Sequence, residues 1–205
     1  MVDSSGLEGH ASWWARHVHP LNSVLRILMG IVWSYDGFLK FYSGFGGGPF
    51  LTSLTNNQST DPNWLANGWD QFWINVTQSN QLAFVYIVGF FELALGIALI
   101  LGFMRKIAYI AGIVLALLIW SIAEDFGGVF KVITVTTTDV GTGIMYAFAL
   151  YGLVLINAAS GVSRYSLDYY IEKRFPGWAR VAEFGTPIFG PIKPAASTAP
   201  KAPAG

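Results

Sequence analysis

Long apolar stretches alternate with polar connections along this chain, and four of them approach the length needed to cross a membrane. They are Leu21–Phe41, Leu82–Leu101, Ile107–Ile122 and Gly141–Ala159. About 20 apolar residues in helical form span the ~30 Å hydrocarbon core. Lipid offers no partners to backbone N–H and C=O groups, so each stretch is predicted to be helical. The pattern predicts an all-α, integral membrane four-helix bundle. Residues 1–20 read as a cytoplasmic N-terminal segment and 160–186 as a cytoplasmic interfacial segment. Residues 187–205, rich in Pro and Ala, read as a mobile tail. The first twenty residues lack the pattern of a cleavable leader, so the first span is expected to stay as a signal anchor.

The basic residues give the orientation. Arg16, Arg105, Lys106, Arg164, Lys173 and Arg174 flank the spans on one side. Lys131 and the membrane-edge Lys40 stand on the other, against Asp61, Asp70, Glu124, Asp125 and Asp139. Short cytoplasmic loops carry the excess of Lys and Arg, which puts both termini in the cytoplasm. The turn Gly102–Lys106 then makes a hairpin of the second and third spans. Composition agrees: 53% of residues are hydrophobic and only 12% charged, about half the ~25% of soluble domains. A soluble bundle of very apolar helices is the competing reading.

A net charge of zero argues against a nucleic-acid partner, and the absence of cysteine excludes disulfides, thiolate metal ligands, iron–sulfur clusters and a thiol nucleophile. His10, His17 and His19 all precede the first span, so neither a metal site nor transmembrane bis-histidine haem is expected.

The outer connection, residues 42–81, opens with Gly44, Gly46, Gly47, Gly48 and Pro49, read as flexible, followed by a polar run from Thr52 to Asn63. Trp64, Leu65, Trp69, Phe72, Trp73 and Val76 then recur near helical spacing, which predicts an interfacial amphipathic helix. The same residues would suit a lid over a substrate. On the other side, Arg164 to Phe184 mixes aromatic residues with charges and reads as a second surface-lying segment.

Charged groups inside a span need a partner or a function, since each costs about 2.5–3.5 kcal/mol on insertion. Arg26, Gly30, Trp33, Gly37 and Lys40 follow one another at spacings of four, three, four and three, a single helical stripe. Its glycines permit close approach of another backbone. Asp36 precedes Lys40 by four residues, the favourable order for an ion pair. Gly89, Glu92 and Gly96 form a matching face on the second span, and an Arg26–Glu92 pair is expected between the two helices.

The stripe resembles the first helix of the DoxX-like superfamily of four-helix membrane proteins. The resemblance continues at Gly89-Phe-Phe-Glu92-x3-Gly96, at Leu101-Gly102 with its basic turn, and at Asp139-Val-Gly141-Thr142-Gly143-Ile-Met-Tyr146. Within the superfamily the chain is most similar to DoxD, the membrane subunit of thiosulfate:quinone oxidoreductase. The resemblance implies oxidation of thiosulfate to tetrathionate, with electrons passed to a quinone as acceptor, in a prokaryotic plasma or inner membrane. Neither a covalently bound cofactor nor a metal is implied. Arg26 and Glu92 are then the candidate catalytic residues, and Trp33, Asp36, Lys40 and Tyr146 the candidate substrate- and quinone-binding residues. Besides the lipid bilayer, the implied partners are other membrane subunits, either DoxA-like or those of a respiratory complex. The alternative function is a non-catalytic accessory subunit packed against such a complex. A small-solute transporter is a third reading, for which a buried charge pair would also serve.

Overall fold

A computed structural model describes residues 4–42, 49–60, 64–128 and 141–185. The glycine stretch 44–48, Asp61, Lys131, Asp139 and the 187–205 tail lie outside the described residues. Among those described, all regular structure is helical: α1 Ser4–Leu39, α2 Pro49–Thr60, α3 Trp64–Thr77, α4 Gln81–Leu101, α5 Arg105–Ile122, α6 Thr142–Ser160, α7 Leu167–Arg174 and α8 Ala179–Ala182. Three of them, α4, α5 and α6, are long and apolar enough to cross a membrane, and they match three of the expected stretches to within two residues. Only 28–39% of each spanning window is buried inside the protein. The outward faces are apolar, with Ile87 and Phe90 on α4, Val114 on α5, and Met145 and Phe148 on α6 exposed. Such faces suit lipid contact.

Helix α1 differs from the expected boundaries. It runs for 36 residues through Pro20, so residues 4–20 are helical and continuous with the first stretch. Proline removes one backbone N–H and its ring crowds the preceding turn. Just downstream of Pro20, Asn22 and Ser23 are buried. Ser23 Oγ lies 3.1 Å from Ser163 Oγ, beyond the end of α6.

The two glycine faces meet as expected. Helices α1 and α4 run antiparallel in near backbone contact. A Cβ built on Gly30 would come within 2.7 Å of Gly96 O, and one on Gly37 within 2.7 Å of Leu93 N and 2.8 Å of Gly89 O. Distances under 3.0 Å to backbone atoms cannot be relieved by turning a side chain. Helices α5 and α6 pack by the same device, with a Cβ on Gly143 meeting Ala116 O at 2.7 Å. The two pairs join through contacts of α1 with α6 and of α4 with α5. Trp33, Leu95, Leu99, Tyr109, Leu150 and Leu153 belong to the core between them.

The α4–α5 connection is the tight hairpin turn expected. Gly102 adopts a left-handed φ of 65°, its N–H reaching Leu99 O at 3.2 Å, and Phe103 N–H reaches Ala98 O at 2.9 Å. These bonds are a Schellman-type closure of α4.

In the outer connection, most of the polar run lies in helix α2. Pro49 occupies its first position, where the missing N–H costs nothing. Leu51 N–H is held by Gln81 Oε1 at 2.9 Å, and Leu54 is fully buried. Helix α3 is present as expected: Asp70 turns inward, while Trp64, Leu65, Phe72 and Val76 face outward.

A branched side chain at the closest helix contact should separate α1 from α4. Gly96→Val is expected to cost about 3 kcal/mol or more, above the usual overpacking range because backbone atoms are in the way. A lowered thermal midpoint in detergent checks this, with Gly152→Val, in open space, as the control.

Candidate functional site

The register of α1 on α4 decides which polar groups meet. With Gly30 opposite Gly96 and Gly37 opposite Gly89, Lys40, just past the end of α1, lies against Gly89, and its side chain extends along α4. Its Nζ sits 2.6 Å from Glu92 Oε2. Asp36, one turn back, accepts a hydrogen bond from Tyr146 Oη on α6 at 3.4 Å. The Tyr146 ring is tilted against Trp33 at 5.7 Å between centroids. Trp33 is buried, and its Nε1 donor has no hydrogen-bond partner.

These five residues line one cavity of about 230 Å³, closed on the α5–α6 side by Ala116, Ile119, Glu124, Thr142 and Gly143. Asp36 and Lys40 thus each have a partner on another helix. A charge four residues away on the same helix stabilises by only about 0.2–0.5 kcal/mol, whereas a buried Glu92 without Lys40 would keep its full desolvation cost.

Glu124 belongs to this site and escaped the sequence reading. Its Oε2 accepts the N–H of Gly143 at 2.9 Å, satisfying an unpaired donor in the first turn of α6. Gly141 makes the approach possible: its φ is 94°, and a Cβ there would lie 2.6 Å from Glu124 Oε2 and 2.7 Å from Trp120 Cδ1. The Gly141-Thr142-Gly143 sequence is therefore a seat for a carboxylate and for the α5 backbone. Glu124 follows directly on an uncharged span, which was the available signal.

A second, apolar cavity of about 570 Å³ adjoins the first, with Lys40, Ile119 and Glu124 lining both. Its walls are Phe84, Val85, Val88 and Phe91 of α4 and Leu115, Leu118 and Ile122 of α5. Phe50 of α2 and Trp73 of α3 complete it, each packing on Phe84 at 5.5 and 5.7 Å. Helix α3 thus combines an outward apolar face with one residue in the cavity wall. Phe91 is 57% exposed on the outer face, so the apolar cavity borders the surface that suits lipid.

Arg26 is not in the site, and the expected Arg26–Glu92 pair does not form. Its guanidinium donates to the carbonyls of Leu99 and of Ile100, the latter at 3.2 Å, and to Tyr165 O at 2.8 Å. Leu99 and Ile100 are in the last turn of α4, where carbonyls lack helical partners and a cation is favoured. The antiparallel register explains the difference. Arg26 lies opposite residue 100, eight residues and about 12 Å from the level of Glu92.

A second buried polar cluster lies at that same end. Arg105, at the start of α5, donates from its backbone N and from Nε to Asp168 Oδ2, at 3.0 and 3.1 Å. Its Nη2 pairs with Glu183, and its Nη1 reaches Asn157 Oδ1 at 3.4 Å. Asp168 also accepts from Met104 N at 2.9 Å and Trp178 Nε1 at 2.8 Å, so a carboxylate from α7 caps α5. Glu172 Oε1 stands 3.8 Å from Arg105 Nη2, and both of its oxygens lack hydrogen bonds. The segment expected to lie on a surface is therefore docked on α5 by three buried carboxylates. Their charge and the spacing of Asp168 and Glu172 were legible; their common partner was not, because Arg105 reads equally well as a marker of orientation. Burial pushes Glu172 up to about 7, against the pull of Arg105 and with a smaller contribution from Asp168.

No family model matches this sequence, and no curated protein or solved structure shows significant similarity to it.

Two predictions follow from these clusters. Glu92→Gln and Lys40→Met should each destabilise the protein by about 3 kcal/mol, the low end for breaking a buried pair, because Lys40 retains some exposure. The double variant should lose less than the sum, which a double-mutant cycle of denaturation midpoints measures. For Glu172, the folded carboxyl keeps its proton to about pH 7 while the unfolded one releases it near 4.5. Its contribution is thus most favourable below pH 4.5 and declines as pH rises to about 7. Thermal midpoints should show that decline in the wild type, and Glu172→Gln should flatten it and raise stability at pH 8.

Proposed function

We propose that the chain is a multi-pass protein of a prokaryotic cell membrane, with α1 as a fourth span beside α4, α5 and α6 and both termini in the cytoplasm. We propose further that it is the membrane subunit of a quinone-linked redox complex of the thiosulfate:quinone oxidoreductase type. One observation carries the reading: five of the six residues singled out from sequence converge on a single polar cavity that shares Lys40, Ile119 and Glu124 with an apolar one. Lateral access from the bilayer, an apolar compartment and a polar head end are what a lipid-dissolved quinone requires. The apolar cavity is within the ~300–1,000 Å³ of ordinary ligand sites. The unpartnered Trp33 Nε1 is a donor suited to a quinone carbonyl.

Reduction of a quinone takes two electrons and two protons. Lys40–Glu92 and Tyr146–Asp36 are two proton-bearing pairs lining the head compartment, one for each oxygen. The electrons come from a donor outside the cavity; in the thiosulfate case two thiosulfate ions join through a new S–S bond and release two. Among the described residues, Asp36, Glu92 and Glu124 face the single cation Lys40 across this cavity, which suits a dianion poorly. Thiosulfate therefore binds elsewhere, on the outer surface or on a partner subunit. Arg26 has a structural part in this proposal, as the cap of α4.

The test is to purify the chain with its native partners and follow reduction of a short-chain quinone analogue by thiosulfate. Tyr146→Phe, which removes only a hydroxyl, and Glu92→Gln in a preparation shown to be folded should each lower turnover at least tenfold, within the ~10²–10⁴-fold reach of acid–base groups. Unchanged turnover in both would overturn the catalytic assignment. Co-purification with oxidase or dehydrogenase subunits, without thiosulfate turnover, would assign the chain an accessory role instead.

A further inference from the structure

Helix α7 and its flanks sort their charges by sign. Asp168 and Glu172 are fully buried, as is Glu183 after α8, all three committed to Arg105. The exposed surface of the same segment holds Arg164, Lys173 and Arg174 with Tyr165, Tyr170 and Phe175. Among the described residues from 160 to 185, every carboxylate is inside and none is outside. A solvated surface helix ordinarily mixes both signs. Here the outward field is purely positive, and the aromatic rings interleave with the cations. Arg164 lies over the Tyr165 ring at 5.0 Å and also donates Nη2 to Tyr165 Oη at 2.8 Å; Lys173 lies over Tyr169 at 4.1 Å. These contacts lay the long side chains along the surface and leave guanidinium and ammonium donors free to bind further acceptors.

The patch begins four residues after α6, one of the helices apolar enough to span a membrane. That position puts it at headgroup depth, where amphipathic rings settle. We propose that this surface is a binding site for anionic phospholipid, the aromatic rings inserting at the interface and Arg164, Lys173 and Arg174 holding headgroup phosphates. The acid–base clasp beneath is what makes the surface selective, because it turns all three acidic side chains of the segment inward, away from such lipids. The proposal rests on the reading of the chain as membrane-embedded but is independent of any quinone chemistry, since the cavity of Glu92 and Tyr146 lies elsewhere.

The experiment is native mass spectrometry of the full chain extracted from vesicles of equal phosphatidylglycerol and phosphatidylcholine content. The wild type should carry phosphatidylglycerol in clear excess. Arg164→Gln, Lys173→Gln and Arg174→Gln should each reduce that excess, by up to about fivefold per charge, and the triple variant should bring it close to one to one. All three side chains are exposed, so the triple variant should keep its melting temperature in neutral detergent. Equal retention of the two lipids by the wild type, or full selectivity in the folded triple variant, would overturn the proposal. Extraction of the chain by alkaline carbonate without detergent would instead overturn the membrane reading beneath it.

Discussion

Close contact between the backbones of α1 and α4 is the constraint on which the rest depends. Glycines at 30, 37, 89 and 96 leave no room for a Cβ at the crossing points, and this tightness fixes the longitudinal register of the two helices. Register then determines chemistry. Lys40 reaches Glu92, Arg26 reaches the end of α4, and neither can exchange partners without sliding a helix by about two turns. In a low-dielectric surrounding such partnerships are costly to leave incomplete, so packing and electrostatics support the same alignment.

The polar residues are distributed in two separate clusters with different characters. The Arg105 cluster is dense: all three guanidinium nitrogens donate to side-chain oxygens, and the carboxylates serve to cap α5 and to hold the C-terminal segment against it. The Lys40–Glu92 and Asp36–Tyr146 cluster is looser and surrounds a cavity, with the unpartnered Trp33 indole nitrogen beside it. A network gathered on one cation at a helix start stabilises a fold. One that retains open donors around a void is where a ligand can be accommodated, and for this reason the second cluster, and not the larger charge concentration at the other end, carries the functional proposal.

Helices α2 and α3 add a covering layer whose consequence is local. They supply Phe50 and Trp73 to the apolar cavity while α3 keeps Trp64, Leu65 and Phe72 outward. The same helix therefore has an apolar face turned outward and one residue in the cavity wall.

Hydrophobic run length and the three- and four-residue spacing of small and charged residues determined the helical class, the positions of α3 to α6 and the inward face of α1, because these are properties of a single helix. Trp33, Lys40 and Glu92 were legible as candidate inward groups for the same reason, whereas Tyr146 was singled out through the family resemblance. Partner choice was not. Which residue of α4 lies beside Arg26, whether Asp36 turns to its own helix or to Tyr146, and where Asp168, Glu172 and Glu183 find a cation depend on the offset between helices. That offset is decided by backbone contacts at glycines and by the turn at Gly102, between residues far apart in the chain. Helix α2 was hidden likewise, since its weak polar sequence is helical only where Leu54 is buried and Gln81 holds its first turn. Local periodicity is written residue by residue; the register that turns it into a site exists only once the helices touch.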